Sequence, residues 1–402
     1  MNLTRPKLWT KDFIIVFSVN FFLTFVFYLL VVMIAVYAVE VYHASASQAG
    51  LVTGIFIIGA LIGRLFIGRL IDTIGRKRML YIGLGFFTLT TCLYFAELGL
   101  PFLLFTRLIH GIALGIASTA TGTIVAQIIP PARRGEGIGY YSMSSTLATA
   151  VGPFIGLFLS QHTSFQIIFS FCVATGILSL ITALFLYVPP LKVPTESSAQ
   201  TGFKLSSFVE PKALPIAFIT LIGAFCYSSV LSFINFYAIE IGLVNAASFF
   251  FIVYAAAVLV SRPFTGPIMD TRGANFVMYP AFIILGAGMV LLSSASHGVT
   301  FLIAGALIGL GFGNIQSITQ AIAVKLTPPH RMGLATSTFF IFLDAGLGFG
   351  PYLLGLIIPL TGYSTLYIIM GIMAVGTTVL YYFLHGKKEK AETASMNASG
   401  SV

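Results

Sequence analysis

Asp344 sits in FFIFLDAGLGFGP (339–351), an acid inside a long apolar run. Counted from the start of that run near residue 333, it lies about eleven residues in, roughly 16 Å at 1.5 Å per residue. That is close to the middle of a ~30 Å hydrocarbon layer. A charge at that depth is costly and usually functional, and a carboxyl that takes up and releases a proton is the chemistry it suits. Arg107 is the one basic residue buried deep at the opposite end of the apolar runs, and His110 follows at i+3, so the two share a helix face. Asp344 is therefore the proton-coupling candidate the residues themselves point to, and Arg107 with His110 is a polar pair deep in the membrane. The plainer alternatives are a structural carboxyl, an arginine reaching back to the membrane surface, and a packing histidine.

Other chemistry is missing from the sequence. No GxxxxGK[ST] loop is present to hold a nucleotide. No His/Cys/Glu grouping suggests catalysis or a metal, so an enzyme, a cofactor and a metal site are not expected. Cys92, Cys172 and Cys226 all fall inside apolar runs with no disulfide or zinc spacing.

These residues need a membrane to position them. Of 402 residues, 57% are hydrophobic and 8% are charged, against about 25% charged in a soluble domain. Twelve runs are long enough to span: roughly 13–39, 46–70, 77–98, 101–128, 136–160, 165–188, 213–239, 246–269, 275–296, 299–326, 333–358 and 363–384. Each must be helical, because lipid offers backbone groups no partner. The expected class is an all-α polytopic membrane protein.

Basic residues gather in alternate loops: 75–78, 132–134, 192, 204, 212, 272, 331 and 387–390, with Arg5, Lys7 and Lys11 in the N-terminal tail. The opposite loops have no Lys or Arg. By the positive-inside rule both termini are cytoplasmic, in a plasma-membrane protein. The net charge of +9 is thus a topology signal and not a nucleic-acid footprint. The expected organisation is a tail (1–12), a six-helix bundle (13–188), a Pro/Ser/Thr-rich cytoplasmic linker (189–212), a second bundle (213–384) and a disordered tail (385–402).

The two halves repeat at a shift of 198. Arg64 meets Arg262, Gly68 meets Gly266, Asp72 meets Asp270 and Gly75 meets Gly273. PPARRG (130–135) meets PPHRMG (328–333), and Gly152-Pro153 meets Gly350-Pro351. Two parallel repeats of six helices place a binding site near the midplane, at their interface.

GRLIDTIGRKRML (68–80), TRLIHGIALG (106–115) and GPFIG (152–156) together resemble the signatures of the major facilitator superfamily, the last resembling its drug:proton antiporter branch. Leu157 stands where that signature usually has a second Gly, and His110 where many members carry Gln. The resemblance covers essentially the whole chain. It implies two pseudo-symmetric six-helix bundles and a secondary active transporter working by alternating access, most like a proton-coupled exporter of a small organic molecule. A facilitator-type importer of a sugar or organic anion is the runner-up; a non-transporting membrane sensor or scaffold is the alternative from another class. The expected partners are a small-molecule substrate and the bilayer, and the chain is expected to be a monomer.

The resemblance also implies roles. Gly68, Asp72, Gly75, Arg76, Asp270 and Gly273 form a gating motif. Asp72 is expected at the N-terminus of the eleventh span near Gly333, with Arg76 clamping it or Glu136. Asp270 is expected at the fifth span near Gly135. Gly152, Pro153, Gly350 and Pro351 are expected to kink their helices and allow tight packing across the repeat interface. Arg107 would line the cavity or gate, relaying protons or holding an anion, and with His110 would leave the cavity positive. Asn20, Thr24 and Tyr28 on the first span, Ser232 and Asn235 on the seventh, and Asn314 and Ser317 on the tenth are the substrate-cavity candidates, with helix–helix hydrogen bonding as the competing reading.

Overall fold

The computed structural model describes residues 6–190 and 208–389. The described residues form helices and contain no strand. In chain order the helices are α1 (Lys11–Tyr42), α2 (Ala46–Ile74), α3 (Arg76–Cys92), α4 (Leu100–Ile128), α5 (Arg134–His162), α6 (Phe165–Leu184), α7 (Leu214–Glu240), α8 (Val244–Arg272), α9 (Asn275–Ser293), α10 (Gly298–Ile308), α11 (Asn314–Lys325) and α12 (Met332–Tyr381).

Two departures from one helix per span have local causes. A π-helical turn, Gly309–Gly313, joins α10 to α11, so both belong to one 28-residue span, Gly298–Lys325. Conversely, the apolar stretch Pro329–Glu389 runs for 61 residues, about 90 Å if straight, three times the hydrocarbon thickness. It is two spans, because Gly362 leaves the helical region with φ 75 and ψ 170 inside α12. The described chain is therefore a multi-pass membrane protein of twelve spans.

Contacts divide it into two compact units. The first is Met1–Pro130, Ser144–Glu210 and Thr327–Ile341; the second is Pro131–Met143, Pro211–Leu326 and Phe342–Val402. A cut at the linker, giving 13–188 and 213–384, differs from this. The first third of α5 packs with the second unit, and the first residues of α12 pack with the first. Most of the expected linker (residues 191–207) and residues 390–402 of the expected tail lie outside the described residues.

In the first unit α2 and α4 meet through reciprocal glycines. A Cβ on Gly59 or Gly63 would strike the backbone of Leu108 or Ile112, and one on Gly111 or Gly115 would strike Phe56 or Ala60. Paired small-xxx-small faces let backbones touch where lipid supplies no hydrophobic drive. In the second unit Gly309 does the same against the Tyr254 backbone.

The tail expected to be disordered from 385 instead keeps helical structure to Glu389. The Glu389 carboxylate accepts the backbone N–H groups of Ala274 and Asn275 at 2.7 and 2.8 Å, capping α9. A capped helix end satisfies donors that would otherwise be orphaned, and that holds the segment down.

Candidate functional site

The loop motif builds a clasp in the first unit. Gly68 carries no side chain where Ser337 of α12 approaches: an added Cβ would lie 2.7 Å from the Ser337 Cβ. The Ser337 hydroxyl donates to the Arg64 carbonyl, and the Arg64 guanidinium lies 4.4 Å from the Phe340 ring. One turn beyond Gly68, the Asp72 carboxylate takes a hydrogen bond from the backbone of Gly333, in the first turn of α12. A carboxylate there meets free N–H groups and the positive end of the helix dipole. Gly75, at φ 105, turns the chain so that α3 starts beside α2. Arg76 then reaches back, Nε to Asp72 Oδ1 at 3.0 Å and Nη2 at 2.7 Å. It also donates to Gln127 Oε1 at 2.9 Å and to the Pro329 carbonyl at 2.7 Å. Arg76 therefore clamps Asp72 and not Glu136.

The repeat is reproduced in the second unit with different chemistry. Asp270 accepts from the backbone N–H of Gly135 at 2.7 Å and of Glu136 at 2.9 Å. Gly266 gives way to the backbone of Glu136, and Gly273, at φ 89, turns the chain as Gly75 does. Ala274 stands where Arg76 stands in the first copy. Glu136 is engaged by Arg133, 2.7 Å from each carboxylate oxygen.

A third group was missed in the sequence. Glu210, at the end of the linker, is 3% exposed. It pairs with Arg331, and its backbone N–H donates to Thr338 Oγ1 at 2.9 Å. An acid in a polar stretch looks like any other loop acid; only the repeat partner of Arg133, which is Arg331, could have hinted at a mate.

Arg107 and His110 do share a face, but that face is turned into the first unit. Both are fully buried. Arg107 Nε donates to the Val52 carbonyl at 3.1 Å and Nη1 to Tyr94 Oη at 3.2 Å, and its guanidinium lies 4.3 Å from the Phe56 ring. His110 Nδ1 lies 3.0 Å from Tyr94 Oη, and Nε2 lies 3.2 Å from Thr91 Oγ1. Thr91 donates onward to the Phe87 carbonyl at 2.7 Å. One consistent chain runs Arg107 to Tyr94 to His110 to Thr91 to Phe87, each member donating to the next. The expectation that the two line a cavity and make it positive is corrected: the α2–α4 glycine contact brings Val52 and Phe56 over Arg107.

The cavity candidates divide. Asn20 is buried, donating to Ser144 and Ser145 at 2.7 and 3.0 Å and accepting from Thr121 at 3.3 Å. Asn314 and Ser317 are buried against Arg262, which donates to both and to the Gly313 carbonyl at 2.9 Å. The π turn frees backbone carbonyls, and Arg262 and Asn314 take two of them, the latter reaching Leu310 O at 2.7 Å. The first-repeat counterpart of Arg262 is Arg64, a match legible in the sequence but given no role there. Thr24, Tyr28 and Ser232 are half-buried and Asn235 is exposed.

The two glycine–proline pairs close onto the first helix of their own repeat, not across a repeat interface. A Cβ on Gly152 would lie 2.9 Å from the Tyr28 Cβ of α1, and one on Gly350 would meet Ser228 of α7. Pro153 and Pro351 stand inside α5 and α12. Asp344 is half-buried, twelve residues past Met332 in α12.

Known proteins resemble this chain in sequence and in overall fold. The chain is 23% identical to multidrug resistance protein 2 of Bacillus subtilis over 96% of its own length and 98% of that protein's. It is 21% identical to the staphylopine export protein of Staphylococcus aureus, covering 84% and 87% of the two chains. An MFS-type transporter of Methanocaldococcus jannaschii is 26% identical over 87% and 91%. The solved structure of the human organic anion transporter MFSD10 superposes with a TM-score of 0.79 at 14% identity, over 94% of this chain and all of that one. FucP, solved in its outward conformation, gives 0.76 at 16% identity, over 94% and 99%; both show a common fold. With the family profile matched over residues 16–346 and 244–400, and the repeated clasp in place, the chain belongs to the Major Facilitator Superfamily of transporters.

Proposed function

We propose that this transporter exports a small organic molecule across the plasma membrane in exchange for protons, with both termini in the cytoplasm and the monomer as the working unit. The observation that carries the reading is Asp344. Among the described acids it alone lies in the middle of a span, roughly 18 Å past Met332 at 1.5 Å per residue. A carboxyl there binds a proton from one side, crosses the apolar region at lower cost when neutral, and releases the proton on the other. Export is favoured by the names of two relatives, a multidrug resistance protein and a staphylopine export protein, and by the resemblance of GPFIG (152–156) to the antiporter signature.

The two clasps supply the gate. Asp72 on Gly333 and Asp270 on Gly135 exist while the basic ends of the spans are held together, so they favour the state closed to the cytoplasm. The cargo must break them, or reach a state in which they are broken, to be loaded. Purified protein in liposomes, screened with cationic, neutral and anionic fluorescent dyes for dye-triggered proton flux, tests this. Dye and proton moving in opposite directions supports export by exchange. Movement in the same direction makes the protein an importer, and no flux with any dye removes the coupling.

A further inference from the structure

We infer that Glu210 is a positioning residue of the gate, holding the N-terminus of α12 where Asp72 can engage it. The inference rests on the gate reading above. Three groups hold the five residues Pro329 to Gly333. Arg76 takes the Pro329 carbonyl at 2.7 Å, Glu210 takes the Arg331 side chain, and Asp72 takes the Gly333 backbone. Two of these anchors belong to the loop motif. The third belongs to the linker, which shares no residue with it.

The geometry gives Glu210 leverage that a loop acid would lack. It is 3% exposed, so its charge has little water to fall back on. It grips α12 twice, through Arg331 before the helix and through Thr338 one and a half turns inside it. Two residues earlier, the Phe208 ring lies 5.6 Å from the guanidinium of Arg69 on α2. The linker end therefore lies against the same two helices that Asp72 joins. Arg331 is the repeat counterpart of Arg133, whose carboxylate partner, Glu136, lies three residues on in the first turn of α5. In this copy the repeat has no acid at that place, since Leu334 stands there, and the linker supplies it.

The test uses the full chain with Cys92, Cys172 and Cys226 replaced by Ala and Ser337→Cys as reporter opposite Gly68. The reading is the rate of maleimide labelling in membranes. Glu210→Gln is expected to raise the rate about tenfold, the scale of one charge-assisted hydrogen bond. Glu210→Asp should raise it less. The swap Glu210→Arg with Arg331→Glu should return it to within about twofold of the parent, which a general loss of stability would not do. Asp72→Asn is run beside them. A rise with Asp72→Asn but none with Glu210→Gln overturns the role of Glu210 alone. A rise with Glu210→Gln but none with Asp72→Asn overturns the gate reading and this role with it. A swap that labels as fast as Glu210→Gln makes the pair a stability contact only and also overturns the role.

Discussion

Asp270 accepts the backbone N–H groups of Gly135 and Glu136 at 2.7 and 2.9 Å and feels the charges of Lys325 and Arg133, whereas Asp72 also takes two hydrogen bonds from the Arg76 side chain. The two halves of the repeat thus make the same contact with unequal reinforcement. Asp72 combines a helix terminus with a two-pronged Arg76, whereas Asp270 combines its terminus with the charges of Lys325 and Arg133.

Asp270→Asn should therefore act through the loss of one backbone acceptor and of the charge facing the helix end, about 1–2 kcal/mol. The protein is expected to insert and fold while its population moves toward the state open to the cytoplasm. Single-cysteine accessibility from each membrane face reads the shift; unchanged accessibility would show that Asp270 only fastens the loop.

Arg107→Ala should weaken the first unit and not alter the charge preference for cargo. Its removal takes the extra donor from the Val52 carbonyl, takes the donor from Tyr94 Oη at the head of the Tyr94–His110 chain, and leaves a cavity, at about 2–4 kcal/mol. A lowered Tm in detergent and an equal loss of flux across cationic, neutral and anionic dyes are expected. A selective loss of anionic cargo would return Arg107 to the cavity.

Much of this was legible in the sequence, and the reason is symmetry. The twelve spans follow from apolar length, and the place of Asp270 follows from carrying Asp72 across the repeat. The orientation of Arg107 and His110 does not follow. An i, i+3 spacing names a common face but not the neighbour beneath it, and that neighbour was decided by glycines on α2 and α4. Asn314 and Ser317 looked like cavity groups for the same reason. A polar stripe on a span reads alike whether it meets cargo or a buried Arg262. Glu210 was hidden because its partner lies 121 residues away and no local pattern announces such a pair.

The packing of the glycine–proline pairs separates contact glycines from free ones. Gly152→Val should destabilise by about 1–3 kcal/mol, since its side chain enters space held by Tyr28, Leu29 and Phe25. Gly85→Ala, with nothing within 4 Å of its added Cβ, should be neutral or mildly stabilising, by up to about 1 kcal/mol. Thermal unfolding of the two variants in one detergent compares them. Similar Tm values would mean that the α1–α5 contact yields easily.

Asp344→Asn tests the central claim, that one intramembrane carboxyl couples cargo to protons. Parent and variant are reconstituted together in two assays, cargo movement driven by an imposed pH gradient and cargo-for-cargo counterflow without one. The variant, fixed in a neutral form, is expected to keep counterflow and to lose the gradient-driven movement. If it still concentrates cargo with the parent's pH dependence, Asp344 is not the proton carrier and the coupling lies elsewhere in the chain.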